Sequence, residues 1–306
     1  MVAERSSPAI SARAFACEGK PWAVPETTRR SLLPILLGLG VSRDALARPR
    51  GPWFAGLQLH TVRDHLGADL DGTLRRIAEI GYLEVETAGF VGATVDVIRS
   101  KLRQHALTAP SMHAGYDDLQ GNLDALVEDA ATLGSHFIVC PSIDADQRRT
   151  PDDWKRVCQT LSRAGRAVRR HGMALAYHNH DLELAPFDDG TTPFQLMMHE
   201  TDPQDVKLEL DVYWLAKAGL DPVQILMNAT GRVVLVHLKD MATDGSTVEL
   251  GAGVLDFDSI VRTALRIGAN LLFVEQDNSP DPMQSIATSL KFLQRLPLDV
   301  RPRWRG

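Results

Sequence analysis

Two stretches decide the fold: Leu-Glu-Leu-Asp-Val-Tyr-Trp at 208–214 and Val-Val-Leu-Val-His-Leu-Lys-Asp at 233–240. Each opens as a β-type run, ends on an acid or imidazole, and passes into a segment of different period. The same unit recurs along the chain. The strands read from the sequence are Gly56–His60, Tyr82–Glu86, Leu107–His113, Phe137–Cys140, Met173–His178, Val206–Asp211, Val233–His237 and Leu271–Glu275. Between them apolar residues fall at helical spacing, as in Leu74, Ile77, Ile80 and in Leu123, Leu126, Val127, Ala130. Gly81, Gly134, Gly172 and Gly268 stop helices just before strands, and Asp69, Asp152-Asp153, Asp221-Pro222 and Asp281-Pro282 start them. Strict β–α alternation predicts a parallel sheet, and eight units predict one α/β domain, a closed (β/α)8 TIM barrel spanning residues 51–300. A doubly wound open sheet is the alternative, but no Gly-x-Gly-x-x-Gly follows the first strand.

The chain has 306 residues and a formal charge of −6, so it lacks the basic footprint of a nucleic-acid or anionic-membrane binder. Its three cysteines, Cys17, Cys140 and Cys158, have neither paired nor clustered spacing, which excludes a disulfide framework and a zinc ribbon. Residues 1–50 read as a leader outside the barrel. Within it, Arg29-Arg30, the apolar run through Val41 and Ala45-Leu46-Ala47 predict a twin-arginine export signal at 28–47 and a periplasmic or secreted product; an Arg pair before a short buried helix, in a cytoplasmic protein, is the alternative. The apolar run is shorter than the roughly 20 residues that span a bilayer. Cleavage after Ala47 would remove 47 of the 306 residues and leave 259, the size of one barrel.

Alternate residues of a barrel strand face the helices and the lumen. With the apolar members turned to the helices, the lumen receives Gln58 and His60, Glu84 and Glu86, Ser111 and His113, His178 and His180, Glu209 and Asp211, His237 and Lys239, and Glu275. Uncompensated, such charges cost several kcal/mol each when buried. A divalent cation is the simplest compensation, since it neutralises carboxylates and uses imidazole lone pairs. Strand ends at the C-terminal mouth are also where barrel enzymes keep their sites.

These residues resemble the xylose-isomerase-like superfamily of sugar-phosphate isomerases and epimerases. The resemblance runs from Gly56 to Leu296 and rests on Gly56-Leu57-Gln58-Leu59-His60-Thr61-Val62-Arg63-Asp64, Tyr177-His178-Asn179-His180-Asp181, Leu210-Asp211-Val212-Tyr213-Trp214, Val236-His237-Leu238-Lys239-Asp240 and Val274-Glu275-Gln276-Asp277. It implies one divalent ion (Mn, Co, Mg or Zn) held by His178, Asp211, His237 and Glu275. Many relatives have Glu where this chain has His178, and several have a substrate-binding His where it has Trp214. The first departure weakens a two-base epimerisation, and the second predicts a more apolar wall that could stack on a ring.

The implied chemistry is proton abstraction next to a carbonyl through a metal-stabilised enediolate, on a sugar or polyol carbonyl compound. Glu275 is the first candidate base, with Glu183, Lys239 and His180 as alternatives. Gln58, His60, Glu86, His113, Trp214 and Lys239 are candidates for binding substrate oxygens and ring. The plainer readings pair Lys239 with Glu209 or Asp240 and leave Glu86 on the solvated rim. An isomerase or epimerase is the leading expectation. A lyase or dehydratase using the same intermediate to expel water or a glycosidic group is its rival, followed by a non-catalytic sugar-binding barrel. A three-zinc DNA-repair barrel is disfavoured by the acidic charge. Gly251-Ala252-Gly253 before Asp256-Phe257 resembles the family's site-closing loop, and no phosphate cradle is visible. Trp53 and Trp214 are candidates for the pocket wall or for the interface of a homo-oligomer.

Overall fold

A computed structural model describes residues 55–269 and 271–298. The leader at 1–50, the export signal at 28–47 and Trp53 lie outside the described residues. The strands are β1 (Gly56–Gln58), β2 (Glu84–Ala88), β3 (Thr108–His113), β4 (Phe137–Cys140), β5 (Ala174–His178), β6 (Val206–Asp211), β7 (Val233–Leu238), the short β8 (Asp240–Met241) and β9 (Thr247–Val248), and β10 (Leu271–Val274). Eight of them, β1 to β7 and β10, form a closed parallel barrel in which β1 pairs with both β2 and β10. The predicted single (β/α)8 barrel is therefore the fold, and β8–β9 is an added antiparallel hairpin beyond β7.

Outward residues such as Leu57, Val85, Leu175, Leu208, Leu210 and Val236 are buried under the helices. Inside the barrel a separate apolar layer of Val139, Ala176, Leu235 and Phe273 forms a floor. Gly56 is part of this fit, because a Cβ there would strike the Phe273 ring. Asp69, Asp221 and Asp281 cap their helices through Gly72, Val223 and Gln284 amides, as their sequence positions imply. The long helix Pro151–Arg170 starts two residues earlier than its aspartates suggest, with Thr150 and Asp153 forming a capping box. Among the described residues, no helix is long and apolar enough to cross a membrane.

Two inward assignments change. β1 stops at Gln58, whose side chain accepts the His60 amide at 3.0 Å and starts a 3₁₀ turn over Leu59–Val62. His60 thus leaves the lumen for an exposed position on the rim. Glu84, at the start of β2, lies at the opposite, N-terminal mouth beside Arg99 and Arg103, separated from Glu86 by a register shift against β3.

The loop after β7 is organised by one carboxylate. Asp240 accepts the amides of Met241 (2.8 Å), Gly251 (2.9 Å), Gly253 (3.0 Å) and Leu255 (3.2 Å). The glycines follow from this cradle. A Cβ on Gly253 would run into Asp240, and Gly251 combines φ +83° with a close approach to the Phe292 ring. Asp240→Ala is expected to lower the unfolding free energy by about 3 kcal/mol, since four part-buried amides lose a charged acceptor. Asp240→Asn should cost visibly less; equal losses in urea titrations would show that the carboxylate does not organise the loop.

Candidate active site

Polar side chains meet at the C-terminal mouth, directly above the apolar floor. His178 and Asp211 are the last residues of β5 and β6, His237 is the penultimate residue of β7, and Glu275 follows β10 at once. One ligand atom from each of these four lies within 4.8 Å of the others, and all four side chains are buried. His237 Nδ1 is 2.9 Å from Glu275 Oε2, and His178 Nε2 is 3.9 Å from Asp211 Oδ2. A second group, Glu86, His113, Glu209 and His237, meets the same distance limit just beside it.

Local structure fixes each member. Asp211 caps the helix Val212–Lys217: its Oδ1 accepts the Tyr213 amide at 2.9 Å and the Trp214 amide at 3.2 Å, leaving Oδ2 for the site. Asn179 ties β5 to β6 by accepting the Asp211 amide at 3.0 Å. Arg63 clasps the loops after β1 and β10, donating to the His60 carbonyl at 3.0 Å and the Asp277 carbonyl at 3.1 Å. On the opposite wall, Glu86 accepts from Gln58 at 2.6 Å, from Ser111 and from His237 Nε2 at 2.7 Å.

Lys239 is fully buried and pairs with Asp211 Oδ2 (2.9 Å), Glu275 Oε2 (3.0 Å) and Asp277 Oδ1 (3.0 Å). Neither Glu209 nor Asp240, the partners considered from sequence, holds it. Glu86 is likewise completely buried instead of solvated on the rim. Glu183 accepts from Tyr177 Oη at 2.6 Å and from the His180 amide at 2.7 Å, buried behind the site.

These contacts sort the titratable groups. Burial opposes protonation of His113, but the Glu86 charge and the hydrogen bonds that Glu209 and Glu86 accept from the ring outweigh it and hold the imidazole up to about 10. His237 is raised in the same way, burial being overcome by Glu209 and Glu275. His178 is driven well below its ordinary value by burial and by neighbouring His237. His180 is lowered to about 4, first by burial and then by Lys239. Burial raises Asp211 to about 6 against the pull of Lys239. Glu275 falls well below the carboxylate range, since Lys239 and His237 overcome its burial. Burial also depresses Lys239, yet Asp211 and Glu275 raise it above the usual lysine value.

Over this cluster opens a cavity of about 540 Å³, lined by His113, His178, His180, Glu275 and Asp277, with His60 at its edge and Phe90, Met112 and Leu126 on its apolar side. That volume suits a small organic ligand. Gln58 and Glu86 sit beneath His113 and support it instead of lining the cavity. Trp214 backs His180 at a ring distance of 5.4 Å and does not line the cavity. Asp277 and Phe90 are among the lining residues that strand periodicity misses, because both stand on loops beyond the strand ends.

The model of the xylose isomerase-like TIM barrel family matches residues 74–296. Inosose dehydratase of Geobacillus kaustophilus (strain HTA426) is 28% identical over 198 residues, which are 57% of this chain and 63% of that enzyme, so the match spans under two thirds of the relative. A sugar phosphate isomerase/epimerase from Parabacteroides distasonis superposes with a TM-score of 0.70 at 26% identity, over 83% of this chain and 98% of that one. The IolI protein, solved with a zinc atom, superposes at 0.62 with 15% identity over 78% of this chain and 96% of that one, a likeness of fold. On the strength of the matched span, this chain belongs to the xylose isomerase-like TIM barrel family.

Proposed function

We propose that the protein is a divalent-cation-dependent lyase of the dehydratase type, acting on a keto-polyol of the inosose class. The observation that carries this reading is the convergence of His178, Asp211, His237 and Glu275 within 4.8 Å under the cavity. Two imidazoles and two carboxylates are a donor set suited to Mn, Co or Zn, with Mg a poorer match to the nitrogens. Asp211 Oδ2 faces the site with the Lys239 ammonium at 2.9 Å as its ion-pair partner, and Glu209 Oε1 is buried with no hydrogen-bond partner among the described residues. The four residues would hold the ion, and when bound it would polarise a substrate carbonyl and stabilise the charge left by deprotonation at the adjacent carbon.

His180 is the group we assign as base. Its ring lines the cavity, its Nδ1 has no partner, and its lowered pKa keeps it deprotonated across the neutral range. Glu275, the first candidate from the family resemblance, is committed to His237 and Lys239. Lys239, held protonated, would counter negative charge on a substrate oxygen, with Asp277 keeping its ammonium in register. In the elimination, the carbon–hydrogen pair becomes a carbon–carbon double bond as the β carbon–oxygen bond breaks. The proton passes to His180 and from it to the departing hydroxide, which leaves as water, so the enzyme ends in its starting protonation state.

Elimination needs one base, and β5 ends in the imidazole of His178 where a two-base epimerisation would want a second carboxylate. The likeness to inosose dehydratase supports the same choice. Isomerisation or epimerisation is the second reading, favoured by the 26%-identical isomerase/epimerase structure.

Purified protein is expected to hold about one divalent ion per chain by elemental analysis, and Asp211→Ala or His237→Ala to lose it. In deuterated water with an inosose, NMR should record loss of water from the substrate. His180→Asn should slow that reaction by about 10²–10⁴-fold with ion content unchanged. Solvent exchange of an α-proton without loss of a leaving group would favour the isomerase reading, and absence of both ion and exchange would remove both. Glu183→Gln is expected to lower the thermal midpoint while leaving turnover within about threefold, because Glu183 braces Tyr177 and the His180 amide; turnover loss as large as that of His180→Asn would make Glu183 the base instead.

A further inference from the structure

We infer that Glu209 is the positioning residue that makes a histidine serviceable at position 178, by fixing which ring nitrogen faces the ion site. This rests on the reading of His178 and His237 as metal ligands. Glu209 sits two residues before Asp211 on β6, with its side chain fully buried. Its Oε2 lies 3.0 Å from His113 Nε2, 3.2 Å from His178 Nδ1 and 3.2 Å from His237 Nε2. One carboxylate oxygen therefore stands within ion-pair distance of three imidazoles from three strands, with a formed hydrogen bond to His113.

The nitrogens it meets are those turned away from the upper cluster. His178 presents Nδ1 to Glu209 and Nε2 towards Asp211, while His237 presents Nε2 to Glu209 and Glu86 and Nδ1 to Glu275. A ligating imidazole needs its other nitrogen protonated and held, and a carboxylate beneath it does both. For His237, Glu86 at 2.7 Å already fills that role. For His178, Glu209 is the carboxylate on the Nδ1 side. The Nδ1···Oε2 approach is short but off the ring N–H direction, so Nδ1 is without a formed hydrogen bond.

The lower group of Glu86, His113, Glu209 and His237 has ligand spacing too, but its contacts are those of a hydrogen-bonded support. Glu86 is saturated by Gln58, Ser111 and His237, and His113 hydrogen-bonds to Glu209 at 3.0 Å. We therefore read it as the base on which the upper four stand, with a single ion above it.

The test is a double-variant cycle read by metal affinity. In wild-type protein, competition titration with Zn²⁺ or Mn²⁺ should give one site, and Glu209→Gln should weaken it by about 10- to 100-fold. In a His178→Glu background the sign should reverse. Two neighbouring buried carboxylates then repel, so adding Glu209→Gln should tighten binding and raise the thermal midpoint. Long-range ¹H–¹⁵N spectra of the zinc-loaded wild type should show His178 protonated at Nδ1 and bound through Nε2. Equal weakening in both backgrounds, or His178 bound through Nδ1, would overturn the role of Glu209 while leaving the metal reading intact. A second bound equivalent lost on Glu209→Gln would make the lower group a metal site and overturn it as well. A wild type that binds no ion would remove the metal reading first and this inference with it.

Discussion

Glu86, Glu209, Asp211 and Glu275 are packed with Lys239 and the imidazoles of His113, His178 and His237 into one end of a barrel lumen, almost wholly out of water. Burying an unpaired carboxylate costs several kcal/mol, and each of these has a cationic or imidazole neighbour within about 3 Å. That constraint organises the rest. Counting Asp277, five carboxylates face Lys239 and the two imidazoles whose surroundings raise them, so the mouth remains net negative. A lumen built for stability alone would continue the apolar floor of Val139, Ala176, Leu235 and Phe273 upward. An excess of buried negative charge under an open cavity is a standing requirement for a positive ligand or charge-separating chemistry.

The scaffold holds these charges by giving single side chains two structural partners. Asp211 shows this most plainly, with one oxygen closing a helix start and the other facing Lys239. Asp240 spends its carboxylate on four amides, which sets the loop after β7, and Arg63 stitches the loops after β1 and β10. Strand ends are therefore tied sideways to the loops that form the cavity wall. Rigid placement of this kind is what catalytic and metal-binding groups require, because small displacements cost large factors in rate.

The barrel was legible in the sequence because its information is local. Period-two runs and Asp or Gly punctuation mark each unit, and β4 and β6 have the bounds their apolar runs suggest. The inward faces of β5, β6, β7 and β10 followed from the same alternation, which brought His178, Asp211, His237 and Glu275 to one mouth. What the sequence hid is what depends on distant partners or on where regular geometry stops. His60 leaves the lumen because Gln58 caps a 3₁₀ turn, and periodicity carries no mark of that change. Lys239 finds Asp277, which lies 38 residues away on the far side of a helix. The hairpin of β8 and β9 is too short to leave a pattern. Glu183 reads as a base candidate in sequence, and only the Tyr177 hydroxyl and the His180 amide reveal it as a brace.

Proton placement in the site follows from which imidazole touches which carboxylate. His178 lies with ring centroids 4.5 Å from His237 and 4.9 Å from His180, too close for adjacent rings to be charged together without cost. His113 contacts two carboxylates and His237 three at 3.2 Å or less, so in the ion-free site the positive charge settles on them. His178 has one such neighbour, poorly aligned, and the His180 ring forms no ion pair among the described residues. Neutral imidazoles thereby stand at His178 and His180, and cationic ones at His113 and, in the ion-free site, His237, where carboxylates crowd them. The cavity wall is thus polarised from the neutral imidazoles at the end of β5 to the cationic His113 at the end of β3. A carbon acid bound against this wall would find a proton acceptor at His180 and a proton donor at His113, the two roles that the proposed elimination requires.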